Sequence, residues 1–322
     1  MTKVLIISNK LDVTTDFIIK ELKQRNIDFF RFNTEELTKS CFISLDLTKD
    51  SFTIHDAITN KINDLREFSS VYFRRPELPT INNLNLTIGE ETFLKNEIAF
   101  TLEGVYKIIR NAYWVSPLFS IREAENKIYQ LDVAKSIGFV VPESIVTNNY
   151  DEFINFYDRN DRNCIIKPIK SGLIKDETGS KVIFTNKISD ISISKADFEI
   201  SPNFIQKRIN KKGDIRVTIV GNKIFATFIH SQNEDQTKTD WRRGETELKH
   251  TRIDLPSSII DNCNKLMSEL NLRFGAIDLT MDEEGQFTFL EINPNGQWAW
   301  IERQTGYKIS TEIVNLLEYE NF

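Results

Sequence analysis

The chain has 322 residues, which at about 100–200 residues per domain is enough for two or three domains. Its hydrophobic fraction of 40% and charged fraction of 27% are those of a folded globular protein and exclude bulk disorder. A net charge of −6 argues against a generally basic, nucleic-acid-binding surface, although it does not exclude a local basic cleft, and we expect no nucleic-acid partner.

The hydropathy of the chain contains no signal for export or membrane insertion. The apolar stretch Val4–Ile7 is shorter than the roughly 7–15 residues of a secretory signal, and no run of about 18 apolar residues occurs. Three cysteines without a C-x-x-C spacing support neither a disulfide framework nor a zinc site, and they fit a reducing compartment. The sequence therefore predicts a soluble, cytoplasmic protein that does not associate with membranes.

The first predicted elements form a strand–helix–strand unit. Val4–Ile7 is a predicted buried strand, Asp16–Arg25 an amphipathic helix and Ile27–Phe32 a second strand, which together are typical of a parallel sheet. No glycine-rich turn follows the first strand, so a dinucleotide-binding fingerprint is absent. Further on, the patterns predict a hairpin of Phe42–Leu47 and Ser51–Ile54. They also predict a short strand at Val71–Phe73 and a long helix at Glu90–Arg110. We expect this α/β domain to span residues 1–115.

Two further segments follow the Ser116-Pro117 break, at residues 116–205 and 206–322. The polar, glycine-containing stretch Lys170–Ser180 predicts a mobile loop in the first of them. The predicted elements are a helix at Ile121–Ile137, strands at Ser144–Val146 and Cys164–Lys167, a helix at Ile259–Leu270, and a hairpin of Ala276–Met281 and Phe287–Ile292.

Oxygen-bearing side chains lie on the two strands of this last hairpin. Glu291 and Asn293 are two residues apart, so their side chains face the same way, and Asp278 on the preceding strand can reach the same place. Two carboxylates and an amide oxygen suit Mg²⁺, which takes few protein ligands and shares substrate phosphates. The alternative from the residues alone is an ordinary hairpin with its polar side in water.

Basic residues at defined positions are candidates for binding phosphate. Lys167 ends a predicted strand and Lys127 lies on a predicted helix; each is either a point charge for a phosphate or a solvated surface lysine. The basic run from Gln206 to Arg216 suggests either a solvated surface or an RNA-binding patch. Arg216 itself continues an alternating strand, so it faces a defined surface. Arg242 is a further donor for anionic oxygens.

Two adjacent arginines, Arg74 and Arg75, directly follow the predicted strand Val71–Phe73. Functional loops of α/β sheets lie at this end of a strand. Contact with an acidic substrate and a plain surface location are therefore both open interpretations of this pair.

In chain order, these motifs resemble the ATP-grasp superfamily. The stretches are Asn126-Lys127, Ile166-Lys167-Pro168, Phe204-Ile205-Gln206, Asp214-Ile215-Arg216, Asp278 and Glu291-Ile292-Asn293-Pro294. The finer resemblance is to microviridin-type (graspetide) peptide maturases, which are related to RimK-like ligases. It is carried by Tyr72–Arg75, Ile121–Lys127, Ser231-Gln232 with Asp240–Arg242, and Glu291–Trp298. The chain departs from the pattern at Pro76–Pro79.

The resemblance implies an α/β protein in which a βαβ pre-ATP-grasp domain precedes two α+β lobes. It implies ATP and Mg²⁺, and a ribosomally made precursor peptide whose Asp or Glu side chains become acyl phosphates before ω-ester or ω-amide rings close. A homodimer is a further expectation. The implied roles are Mg²⁺ ligands for Asp278, Glu291 and Asn293; phosphate contacts for Lys127 and Lys167; adenine contacts for Gln206, Lys207, Arg208 and Ile209; acyl-phosphate contacts for Arg216 and Arg242; and substrate contacts for Arg74 and Arg75.

Two other functions remain open from the sequence. A ligase that joins free amino acids or extends a protein terminus would need nearly the same site. A non-catalytic nucleotide- or RNA-binding protein would use the basic run, but the presence of both Asp278 and Glu291 argues against it. The segment Lys170–Ile193 is expected to close over either the peptide or ATP.

Overall fold

The computed structural model describes residues 2–81, 85–170, 172–176, 179–189, 193–244 and 248–319. The chain divides into two compact units. The first comprises Met1–Leu118, Gln297–Arg303 and Tyr307–Phe322, and the second comprises Phe119–Gly296 and Gln304–Gly306. No helix in the described part of the chain is long and apolar enough to cross a membrane.

Strands and helices occur in both units. The strands are β1 Lys3–Ser8, β2 Asp28–Asn33, β3 Cys41–Asp46, β4 Ser51–Asp56, β5 Lys61–Asp64, β6 Ser70–Phe73, β7 Tyr113–Val115, β8 Ser144–Thr147, β9 Cys164–Lys167, β10 Leu173–Asp176, β11 Gly179–Val182, β12 Asn186–Lys187, β13 Asn203–Lys207, β14 Gly213–Val220, β15 Lys223–Ile229, β16 His250–Arg252, β17 Phe274–Met281 and β18 Phe287–Asn293. The helices are α1 Val13–Gln24, α2 Ile88–Ile108, α3 Leu118–Ala124, α4 Lys127–Ser136, α5 Tyr150–Arg159, α6 Lys195–Phe198, α7 Ser257–Glu269, α8 Ala299–Thr305 and α9 Ile309–Tyr319.

A parallel four-stranded sheet in the order β2-β1-β6-β7 forms the core of the first unit. Strand β1 is buried from Val4 to Ser8, as expected for a parallel strand covered on both faces. The predicted strand–helix–strand unit is thereby confirmed. The predicted hairpin is part of a three-stranded antiparallel sheet, β3-β4-β5. Its third strand was missed because it has four residues, of which only Asn63 is buried.

The two C-terminal helices, α8 and α9, belong mainly to the first unit, whereas the sequence placed them with residues 206–322. Helix α9 contacts α1, β6 and β7 through an apolar face of Ile309, Ile313, Val314 and Leu317 at helical spacing. Arg25, just after α1, also binds the Glu318 carboxylate at 3.0 Å. This packing explains why the last helix belongs to the first unit rather than to the predicted C-terminal lobe. A boundary near residue 205 stays a prediction.

Two antiparallel sheets in the orders β12-β9-β13-β8 and β16-β15-β14-β17-β18 build the second unit. Strand β14 is buried along its whole length because β15 and β17 flank it. The single helix predicted for Ile121–Ile137 is wrong: α3 ends at Ala124, and α4 begins after Asn126. The Asn126 side chain accepts hydrogen bonds from the Ile128 and Tyr129 amides, which makes it the N-cap of a new helix.

The segment Lys170–Ile193 contains the antiparallel pair β10 and β11. Parts of the predicted mobile loop and of the predicted closing segment, namely residues 171, 177, 178 and 190–192, lie outside the described residues.

Arg74 is a buried charge in the first unit, with an exposure of 1%. Its Nε lies 3.4 Å from Oδ2 of the buried Asp12. The same carboxylate accepts hydrogen bonds from the Ser8 and Thr15 hydroxyls. Arg75, in contrast, is exposed. The structure therefore gives Arg74 a part in holding the first unit together, and a substrate contact for either arginine stays a prediction.

Replacing Arg74 by Met removes this cation from a buried carboxylate. We expect Arg74→Met to lower the free energy of unfolding by about 3–5 kcal/mol, measured by urea denaturation, because an uncompensated buried charge is costly. The matched control is Arg75→Met, which should change stability by less than about 0.5 kcal/mol at an exposed position. Equal stability of the two variants would contradict the structural role.

Candidate active site

A cavity of about 360 Å³ lies within the second unit. Strands β9, β13, β17 and β18 supply part of its wall, and the first residue of α4 supplies another part. The cavity brings together seven residues that the sequence singled out, namely Lys127, Lys167, Gln206, Arg242, Asp278, Glu291 and Asn293. Residues separated by up to 166 positions thus converge on one place, as a single binding site requires.

The Glu291 carboxylate is the centre of charge in this cavity. Its Oε2 lies 3.2 Å from Lys127 Nζ, and Asn293 Nδ2 donates to its Oε1 at 3.4 Å. Burial alone would raise the pKa of Glu291, but Lys127, Lys167 and Arg242 outweigh burial and lower the pKa to about 2. Glu291 is therefore an anion that surrounding cations stabilise.

Asp278 lies opposite Glu291 on the neighbouring strand. Burial raises the pKa of Asp278 to about 6; Arg216 opposes this rise and the nearby Glu291 charge adds to it. A further cation beside the two carboxylates would relieve their repulsion.

The carboxylates and the Asn293 amide oxygen fit Mg²⁺ only if other oxygens complete its coordination. Among the described residues, no group of three or more His, Cys, Asp or Glu side chains could form a metal cluster. Mg²⁺ is usually bound by one or two carboxylates together with waters and substrate phosphates. The donor set therefore suits a metal–phosphate complex rather than a metal held by protein alone, and the metal assignment stays a prediction.

Two lysine ammonium groups reach the cavity from different elements. Lys127 Nζ donates to the Pro168 carbonyl at 3.2 Å, and Lys167 Nζ donates to Gln206 Oε1 at 3.2 Å. Lys167 also lies over the Phe204 ring, 4.6 Å from its centroid. Burial lowers the pKa of Lys167 to about 8, although Glu291 opposes this shift. An anionic ligand would stabilise both ammonium groups.

Of the two predicted catalytic arginines, Arg242 is among the described residues that line the cavity, and Arg216 is not. Asp240 accepts two hydrogen bonds from Arg242, at 2.8 Å from Nε and 2.7 Å from Nη2, and thereby holds the guanidinium. Arg216 Nε lies 2.8 Å from Asp278 Oδ1. Arg216 therefore contacts Asp278, which lines the cavity, and a direct contact of Arg216 with phosphate stays a prediction.

The Arg216 guanidinium also has unused hydrogen-bonding capacity. Its Nε faces the Asp278 carboxylate, but its buried Nη1 has no hydrogen-bond partner among the described residues. Buried donors without acceptors are costly, so an oxygen-rich anion would be favourable here.

The segment predicted to bind adenine lies beside the cavity. Gln206 is shared between the main cavity and a smaller one of about 40 Å³, which Lys207, Arg208 and Ile209 also line. The amide N–H groups of Lys207 and Arg208 already donate to the carbonyls of Glu143 and Asn163, at 2.9 and 2.8 Å. An adenine bound here would have to pair with groups other than these two amides. The adenine contact therefore stays a prediction.

The sequence assigned no role to three charged residues of the cavity, although two of them, Asp214 and Asp240, lie in the quoted motifs. Lys211 donates to both oxygens of Asp214 at 2.7 Å, and Asp240 orients Arg242. Opposite charges three residues apart, at the start of β14, are a detectable signal for the first pair. The Asp-x-Arg spacing is the corresponding signal for the second.

Two protein-family profiles match consecutive parts of the chain. Residues 124–317 match the RimK-like ATP-grasp domain, and residues 3–122 match the MvdD pre-ATP grasp domain. The ATP-grasp resemblance drawn from the motifs and the predicted α/β fold class are thereby confirmed.

Solved structures and a curated relative extend this result. A RiPP-associated ATP-grasp ligase of Chryseobacterium gregarium, in complex with ADP and a leader and core peptide, is 28% identical, with a TM-score of 0.89 over 98% of this chain and 96% of that one. Macrocyclase MdnC from Microcystis aeruginosa MRC, bound with precursor peptide MdnA, shares the fold at 24% identity and a TM-score of 0.86, over 98% and 99%.

The curated relative is a probable alpha-L-glutamate ligase of Vibrio atlanticus (strain LGP32), 22% identical over 213 residues, which are 64% of this chain and 67% of that one. Since the RimK-like profile spans more than half of the chain, the protein belongs to the RimK-like ATP-grasp ligases, with an MvdD-type pre-ATP-grasp domain at its N-terminal side.

Proposed function

We propose that this ligase uses ATP to activate Asp or Glu side chains of a ribosomally made precursor peptide and closes ω-ester or ω-amide rings. The observation that carries the proposal is the cavity in which Asp278, Glu291 and Asn293 meet Lys127 and Lys167. The MvdD-type domain and solved neighbours that hold precursor peptides support a peptide as the substrate.

In the proposed reaction, a peptide carboxylate oxygen attacks the γ-phosphorus of ATP, and ADP leaves. The acceptor hydroxyl or amine then attacks the acyl carbon, loses its proton, and inorganic phosphate leaves. Magnesium, when bound, neutralises charge on the phosphate oxygens. Asp278, Glu291 and Asn293 would hold it, while Lys127, Lys167 and Arg242 would stabilise the anionic oxygens that develop during transfer.

A second candidate function is transfer to a free amino acid. The similarity to a probable alpha-L-glutamate ligase favours this function. Both functions would use the same nucleotide chemistry. The two functions differ only in what supplies the carboxylate and the acceptor. A homodimer and a cytoplasmic location remain predictions that either function accommodates.

The deciding experiment incubates the purified protein with MgATP and a candidate precursor, a Thr/Ser- and Asp/Glu-rich peptide sought among the small open reading frames beside its gene. We expect the peptide to lose one water per ring by mass spectrometry, with one ADP formed for each ring. Parallel reactions contain free glutamate or other amino acids in place of the peptide. ADP formation and coupling with free glutamate, without dehydration of the peptide, would overturn the proposal in favour of the second function.

The first variant tests the metal assignment. Glu291→Gln removes a charged ligand of the proposed Mg²⁺ site. Because a bound metal ion stabilises the transition state by several kcal/mol, ring formation should fall about 100- to 1,000-fold. Circular dichroism should show a preserved fold. The control is Glu283→Gln, an exposed carboxylate in the turn between β17 and β18, which should keep normal turnover. Near-normal turnover of Glu291→Gln at ordinary Mg²⁺ would remove the assignment.

A second variant tests phosphate binding. Lys167→Met removes a charged donor worth about 1.5–3 kcal/mol, so ATP should bind about 10- to 100-fold more weakly in isothermal titration calorimetry. Lys212→Met is the matched control, since Lys212 is exposed and is not among the described cavity residues. Unchanged ATP affinity of Lys167→Met would show that this lysine does not contact the nucleotide.

A further inference from the structure

The strand that carries Glu291 and Asn293 is poorly supported by its own sheet. Strand β18 is at the edge of the order β16-β15-β14-β17-β18, so β17 is the only strand of the described residues that pairs with it. The register shifts between Asp278 and Leu279, which leaves Leu290 as an extra residue beside Glu291. Such a bulge re-aims a side chain and interrupts the ladder of hydrogen bonds. Something outside the sheet must therefore fix this part of the strand.

Gln130 supplies that support. Its Oε1 accepts the Ile292 amide N–H at 3.0 Å, and its Nε2 donates to the Ile292 carbonyl at 2.8 Å. Both backbone groups of the residue between Glu291 and Asn293 are thus satisfied by one side chain, as a neighbouring strand would do. Gln130 is 2% exposed and Ile292 is 1% exposed, so water does not compete for these bonds. The same Nε2 also donates to the Ala124 carbonyl.

The helix that carries Gln130 also carries a candidate phosphate ligand. Lys127 and Gln130 are three residues apart on α4 and therefore lie on the same face, one turn apart. Lys127 binds the Glu291 side chain, while Gln130 binds the backbone of the next residue. One turn of α4 thus binds two adjacent residues of β18, Glu291 and Ile292.

We propose that Gln130 is a positioning residue that fixes Glu291 and Asn293 relative to Lys127, so that the oxygen ligands and the phosphate-binding ammonium are held ready for the metal–nucleotide complex. The proposal rests on the proposed function only in taking these groups as the Mg²⁺–ATP site. Side chains held by such supporting bonds lose less free energy on binding, because their geometry exists beforehand.

The test measures ADP binding by calorimetry, with and without Mg²⁺, in wild type, Gln130→Leu and Gln130→Glu. Leu has a similar volume but no hydrogen-bonding group. Glu keeps the acceptor for the Ile292 N–H, and in its ionised form it places an acceptor instead of a donor against the Ile292 carbonyl. We expect Gln130→Leu to weaken MgADP binding about 10- to 100-fold, with a smaller loss for ADP without Mg²⁺. Gln130→Glu should lie between Gln130→Leu and wild type.

Asn160→Leu is the matched control for general destabilisation. Asn160 is 1% exposed in the same unit, and its Nδ2 donates to the Phe156 carbonyl at 3.0 Å, away from the cavity. This variant should lower the melting temperature and leave the gain in ADP affinity due to Mg²⁺ unchanged. If Gln130→Leu does not fold, Gln130→Glu alone decides: wild-type Mg²⁺ dependence in that variant overturns the proposal.

Two further outcomes also overturn it. One is wild-type MgADP affinity in folded Gln130→Leu; the other is an equal loss of the Mg²⁺-dependent affinity in Gln130→Leu and Asn160→Leu. The binding measurement needs no peptide. A wild-type protein that binds MgADP but dehydrates no peptide would therefore refute the proposed function while leaving the role of Gln130 open to this test.

Discussion

Burying Glu291 and Asp278 next to each other costs free energy twice, through loss of water and through their mutual repulsion. Lys127 at 3.2 Å from Glu291 and Arg216 at 2.8 Å from Asp278 offset that cost. These ion pairs hold α4, β14, β17 and β18 in one arrangement, because separating any partner would leave a buried charge uncompensated. The proposed chemistry depends on the same charges, so a substitution at one of them is expected to lower stability as well as activity, even where the fold persists.

Lys127 lies at an electrostatically unfavourable position, the first turn of α4. A cation in the first turn of a helix faces the positive end of the helix dipole, which is unfavourable by a few tenths of a kcal/mol to about 1 kcal/mol. The break after α3 and the Asn126 cap place Lys127 at this position. Its ion pair with Glu291 compensates locally, and a bound phosphate would do so further. Lys127 thus occupies an unfavourable helix position that the neighbouring carboxylate compensates, as expected where a site rather than the helix determines the residue.

Much of this arrangement follows from sequence patterns, and some of it does not. Alternation along the last hairpin placed Glu291 and Asn293 on one face, because the side-chain period of a strand is two. The bulge at Leu290 was invisible, since an inserted residue changes pairing without changing composition. The burial of Arg74 and the return of α9 to the first unit were likewise missed, because both depend on partners more than 60 residues away in the sequence.

The candidate site lies in the second unit. Every described residue that lines the cavity belongs to the second unit, which the RimK-like profile largely covers. A glutamate ligase and a peptide macrocyclase would share that chemistry, since both activate a carboxylate with ATP. The choice of substrate must then depend on groups that the shared chemistry does not fix. Nucleotide binding by itself therefore cannot distinguish the two functions, whereas dehydration of a peptide can.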